Sequence, residues 1–318
     1  MAKPAARKSA ARTAPATDAY QDVTDAIVAA LEAGTKPWEK PWQSGGVAQY
    51  PLRSCGTPYR GINVLVLWMT AQTKGYSSPY WMTFKQAIAI KGACVRKGEK
   101  GSKVFYSGST AITEENSSGD EETRIARFLK SYTVFNVEQI DGLPAHYYPQ
   151  PVAPTERQKA ERIEHAEAFF AAIPSTVNHG GNRAFYRLDT DQIQMPQIED
   201  FTDAERYYST LAHEHGHWTR HKTRLDRDFG RKRWGDAGYA AEELVAELSA
   251  AFTCATLGFR PDHIEDHAAY IGSWLEVLKN DKRAIFTAAS HAQRAADYLA
   301  AYSGATIAAE DEDEQRAA

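Results

Sequence analysis

The chain has 318 residues, 43% hydrophobic and 25% charged, which suits two soluble domains each large enough to bury a core. No apolar run approaches the ~18 residues that a membrane helix needs. Three cysteines without a CxxC pair exclude a disulfide framework and a cysteine-built zinc site, and fit a reducing cytoplasm. The net charge of −4 divides unevenly: residues 1–150 carry 18 Lys+Arg against 13 Asp+Glu (+5), and residues 151–318 carry 19 against 28 (−9). A basic half joined to an acidic half implies two modules with different partners.

Residues 1–17 are basic, carry prolines and lack an apolar segment, so a disordered basic arm is expected rather than a secretory signal. Asp18–Gly34 reads as a helix, with Tyr20, Val23, Ile27 and Leu31 on one face. Pro37, Trp38, Pro41 and Trp42 form an aromatic loop. Helices are expected from Ile62 to Lys74, stopped by Gly75, and from Phe84 to Gly92, with Thr83 as N-cap. Ala93–Ser109 has the punctuation of two paired strands, Ala111–Glu122 reads as a mobile polar loop, and Arg124–Ile140 as one or two strands. Pro149, Pro151 and Pro154 mark a linker. Beyond it helices are expected over Glu156–Ile173, Asp203–His221, Tyr239–Leu257, His263–Leu278 and Lys282–Leu299, with Ala184–Met195 strand-like. The expected organisation is an arm (1–17), a mixed α+β unit (18–148), a linker (149–154), a mainly helical unit (155–308) and an acidic tail (309–318).

In the first unit, Arg53–Gly108 holds nine basic residues and one acid, Glu99. Eleven aromatics lie between Trp38 and Tyr106. Flat rings and cations together suit single-stranded nucleic acid, the rings stacking on bases and the cations meeting phosphates. Arg60, Trp81, Lys85, Arg96, Lys97, Lys100 and Lys103 are the expected contacts, with a basic hairpin around Gly98 and Gly101.

In the second unit, His213-Glu214-His215-Gly216-His217 is HExxH. Residues four apart share a helix face, so His213 and His217 can reach one divalent ion, and Glu214 can take a proton from water that the metal activates. Arg220 and Thr223 stand where a metzincin has glycine and histidine, and His221 lies roughly 12 Å of helical rise from His213, too far to share an ion. Of Glu242, Glu243 and Glu247, the last two share one flank of the apolar stripe formed by Leu244, Leu248, Ala251 and Phe252, whereas Glu242 points nearly opposite and fits a solvated face. Glu243 is therefore expected as the third ligand, and Glu247 as a carboxylate behind a ligand histidine. The ion is Zn²⁺ or another divalent metal such as Mn²⁺.

Gly56–Asn63 (GTPYRGIN), Tyr76–Ala87, Val95–Gly101 (VRKGEKG), His213–Thr219 (HEHGHWT), Glu242–Leu248 and Asp266–Leu299 together resemble the ArdC-type antirestriction proteins of conjugative plasmids, in order over roughly residues 20–305. The first unit also resembles the N-terminal part of TraC-type conjugative primases. The resemblance implies an N-terminal unit binding single-stranded DNA and a zincin-like metallopeptidase unit; weaker binding to duplex is expected. It also implies protection of incoming plasmid DNA from host restriction, in the bacterial cytoplasm of the conjugation recipient. The alternative is a zinc metallopeptidase that cleaves a host protein and uses DNA only for recruitment.

Overall fold

The computed structural model describes residues 18–38, 49–115, 121–148, 156–230, 237–258, 261 and 268–304. The basic arm, Pro41, Trp42, the linker and the acidic tail lie outside the described residues.

The first unit opens with α1 (Ala19–Glu32), whose N-terminus is closed by the Asp18 carboxylate accepting from Tyr20 N–H. Such a cap is worth about 1 kcal/mol. The unit continues through β1 (Leu52–Arg53), α2 (Ile62–Lys74), β2 (Tyr80–Thr83), α3 (Phe84–Ala89), β3 (Cys94–Val95), β4 (Ser102–Glu115), β5 (Glu121–Asn136) and β6 (Ile140–Asp141). Thr83 and Gln86 make a reciprocal capping box on α3, and Gly75 ends α2 in the left-handed conformation. A four-stranded sheet runs β1-β2-β5-β4, with β1 parallel to β2 and the other pairs antiparallel.

Two expectations change here. Cys94–Val95 and Ser102 onward do not pair with each other: β3 pairs with β6, and β4 with β5. Ala111–Glu115 and Glu121–Glu122 are paired strand rather than loop, pairing persisting to Glu115↔Glu121, and residues 116–120 lie outside the described residues. The sequence there is polar, so it offers no alternation of apolar residues to read as a strand.

The second unit comprises α4 (Glu156–Ala171), β7 (Thr176–His179), β8 (Phe185–Arg187), β9 (Gln192–Met195), α5 (Ala204–Trp218), α6 (Ala237–Leu257), α7 (Ala268–Asn280) and α8 (Ala284–Ser303). The small sheet runs β7-β9-β8, with β8 at an edge. α6 is buried along nearly its whole length and packs against both α5 and α8. The fold is mixed α+β, with the larger sheet in the first unit and helices dominating the second.

The units are not packed as separate bodies. One apolar core contains Ile27, Leu31, Trp38, Leu65 and Trp68 from the first and Leu244, Leu248, Phe252, Trp274 and Ile285 from the second. Tyr50 donates to the Phe252 carbonyl, and Arg60 pairs with Asp297.

Candidate metal centre

α5 and α6 approach closely because Gly216 has no side chain: a Cβ there would meet Ser249 Oγ at 2.3 Å and the Ala246 Cα at 3.1 Å. Small residues at the contact set His213 and His217 opposite Glu243 and Glu247. His213 Nε2 lies 3.6 Å from Glu243 Oε2, and His217 Nε2 lies 3.5 Å from the same oxygen. One ligand atom from each of the three residues falls within 4.8 Å of the others. Two donors each about 2.0–2.2 Å from a tetrahedral ion stand roughly 3.3–3.6 Å apart, so two imidazoles and a carboxylate in this arrangement fit a divalent cation.

Each histidine is backed by a carboxylate. His217 Nδ1–H donates to Glu242 Oε1 at 3.2 Å, which leaves Nε2 facing Glu243. His213 Nδ1 stands 3.7 Å from Glu247 Oε2. Glu247 Oε1 in turn accepts from Trp38 Nε1 at 3.2 Å and Lys36 Nζ at 3.3 Å, both from the first unit. Glu242 corrects the expectation of a solvated face. It is 2% exposed, and Arg227 grips both its oxygens at 2.7 and 2.8 Å. Arg227 also donates to the Gly216 carbonyl at 2.9 Å, tying the end of α5 to α6. No sequence signal marked Arg227, since it lies in an irregular segment fifteen residues from its partner.

Burial alone would push His213 and His217 down, but the carboxylates overrule it. Glu243, Glu247 and Glu214 hold His213 well above its ordinary value, and Glu243 and Glu242 bring His217 to about 9. Glu243 is held well below the carboxylate range by His217 and His213 despite burial. Glu242 is brought to about 2 against its own burial, by Arg227 first and then His217. His215 behaves differently. Its Nδ1–H donates to the Leu211 carbonyl, its Nε2 accepts from Ser175 Oγ, and burial lowers it to about 4, so it is a neutral anchor of the helix.

Glu214 is 2% exposed and lines, with His213, His217 and Glu243, an open cavity of about 970 Å³. Phe185 and Tyr186 of the edge strand β8 form one wall, and Tyr239 and Tyr270, whose hydroxyls are 3.0 Å apart, stand on another side. Asp189, Asp226 and Asp228 stand with Arg220 and Lys222 around its mouth, so charges of both signs line it.

The expected DNA contacts are dispersed. Trp81 is 1% exposed and packs edge-on against Tyr76, so it cannot stack on a base. Trp38, Tyr50, Tyr59, Trp68 and Phe105 are likewise core. The aromatic enrichment therefore reflects the shared core. Arg60 pairs with Asp297, Arg96 with Glu99 and Asp141, and Lys103 with Asp22. Lys85, Lys97 and Lys100 are exposed.

Among known proteins, a family model for the N-terminal domain of anti-restriction factor ArdC matches residues 17–135, and one for a zincin-like metallopeptidase matches residues 164–291. The uncharacterized protein y4eC of Sinorhizobium fredii is 46% identical over 247 residues, covering 76% of this chain and 77% of its own. Two DNA primases TraC of Escherichia coli are each 40% identical over 78% of this chain, which spans only 17% and 23% of their lengths. The crystal structure of antirestriction ArdC protein from the R388 plasmid, metal-free, superposes with a TM-score of 0.75 at 47% identity, covering 90% of this chain and 98% of that one. Its Mn(II)-bound structure superposes with a TM-score of 0.71 at 46% identity, over the same shares.

Proposed function

Because this chain belongs to the ArdC-type antirestriction family, we propose that it coats single-stranded DNA entering a bacterial cytoplasm and shields it from restriction. We further propose that it holds one divalent ion, Zn²⁺ or Mn²⁺, through His213, His217 and Glu243. The observation that carries the metal reading is the convergence of those three donors, with Glu242 and Glu247 behind the two imidazoles. When bound, the ion supplies Lewis acidity that polarises a carbonyl and acidifies water. Glu214 is the chain's own base, placed on the cavity wall beside the two histidines to accept a proton from water. Glu242 and Glu247 keep the ligand nitrogens turned inward. The TraC likeness and the exposed Lys85, Lys97 and Lys100 support DNA as the partner of the first unit.

A second reading is favoured by one specific observation. A carboxylate aimed into an open cavity beside the ligands is unnecessary for a purely structural ion, so cleavage of a host protein bound near the DNA is the alternative activity. Elemental analysis of dialysed protein tests the site. One ion per chain is expected in the parent and in Glu214→Gln, none in His213→Ala or His217→Ala, and little in Glu243→Ala. Full occupancy in Glu243→Ala with loss in Glu247→Ala would exchange the roles of those two carboxylates.

A further inference from the structure

The acidic half is not uniformly acidic where it meets the first unit. A second cleft, about 490 Å³, opens between α8 and the starts of α1, α2 and the arm β4–β5. On the α8 side, Arg283, Thr287, Ser290 and Arg294 are all exposed. Their spacing of four, three and four residues puts them on one helix face, the two arginines about 16 Å apart with two hydroxyls between. Opposite them stand Phe105, Tyr106 and Ser107 of β4. Asp297 is the single acid among the described lining residues, and Arg60 already pairs with it. The remaining charge is therefore positive.

The walls are rigid. Asn63 exchanges two hydrogen bonds with the Phe105 backbone at 2.7 and 2.8 Å. Gln293 accepts from Gly61 N–H at 3.0 Å. Arg283 lies over the Tyr20 ring at 5.2 Å, and Arg294 donates to His291 Nδ1 at 2.6 Å. The Phe105 ring meets Phe286 of α8 at the floor of the cleft, while the Tyr106 ring packs against Phe128 on the opposite face of β4. Cations and hydroxyls along one wall are the groups that contact nucleic-acid phosphates.

We infer that this cleft holds the backbone of a single DNA strand, with Arg283 and Arg294 on phosphates and Thr287 and Ser290 between them. The metal-bearing half thereby forms one wall of the DNA site. The inference rests on the proposal that the chain binds single-stranded DNA and adds where the strand lies.

The test is fluorescence anisotropy of a labelled oligothymidylate on the full chain across a salt series. Arg283→Gln/Arg294→Gln is expected to bind at least tenfold more weakly, with the slope of log K against log salt reduced by about 1.4, or 0.7 for each lost phosphate contact. Arg283 and Arg294 are exposed, and unchanged circular dichroism would confirm that the variant folds. A parent chain that binds the oligonucleotide, beside an arginine pair variant with the same affinity and slope, would overturn this cleft while leaving DNA binding intact. A parent that binds no single strand would overturn both. Equal binding of duplex, lost equally in the variant, would also overturn the single-strand assignment.

Discussion

Arg224 stacks over the Trp218 ring at 3.9 Å, donates to the Trp218 carbonyl, and reaches both oxygens of Asp191 between β8 and β9. It thereby pins the wall of the metal cavity to the end of α5. The guanidinium holds the Asp191 carboxyl below its ordinary 3.8. A carboxyl depressed by folding contributes stability that is complete above its unfolded value and is lost as pH falls through its folded value. Asp191 has φ of 54°, where asparagine is comfortable, so Asp191→Asn removes the charge without straining the backbone. The variant should melt below the parent at neutral pH, and the gap should close as pH falls below about 4. Thermal melts giving a gap constant from neutral pH to pH 3 would deny the carboxylate this role. At this scale the sequence was partly legible. His213, Glu214 and His217 are read from spacing alone because one helix fixes their geometry, and Glu243 and Glu247 follow from periodicity on another. Glu242 was misread because a helical wheel shows which way a side chain points but not that Arg227, from an irregular segment, covers it. Trp81 was misread because composition cannot separate a stacking ring from a core ring.

Between elements, the proposed metal donors meet because α5 and α6 run close at Gly216. Gly216→Ala gains about 1 kcal/mol of helix propensity. Its methyl would overlap Ser249 Oγ, which can turn away, and crowd the Ala246 backbone, which cannot. Overpacking of that kind costs about 1–3 kcal/mol. The variant should lose stability overall, and metal affinity measured by competition with a chelating dye should fall about tenfold as the helices separate. Parental affinity and melting temperature would mean that the close approach is not what assembles the site. The helices were legible from their caps and stripes: Asp18, Thr83 and Gly75 all stand where their helices begin or end. The strands were less so. β7 carries one half-buried position among exposed ones, and the sequence of the outer β4–β5 arm is polar, so neither offers the two-residue apolar rhythm of a half-buried strand.

Across the whole molecule, the first unit reaches the metal site through Lys36 and Trp38, both bonded to Glu247 behind His213. This was not legible, because the contact joins residues more than two hundred positions apart. Trp38→Phe keeps a ring in the shared core but deletes the donor to Glu247. Metal affinity is expected to drop tenfold or more, since such outer partners commonly contribute 10–100-fold. Unchanged affinity in a folded variant would show that the first unit only packs there. The same union would give the proposed DNA cleft one wall in each unit, and would tie the proposed shielding to the integrity of the whole chain. Shielding as proposed is stoichiometric coating, whereas cleavage of a host protein would add a second, host-dependent layer. Conjugation frequency into a restricting recipient, relative to a non-restricting one, separates the two. Protection is expected to survive Glu214→Gln largely intact and to fail when Lys97, Lys100, Arg283 and Arg294 are together reversed to glutamate in a chain that still folds. Protection abolished by Glu214→Gln in every host and retained by the fourfold reversal would contradict the account and make proteolysis the function.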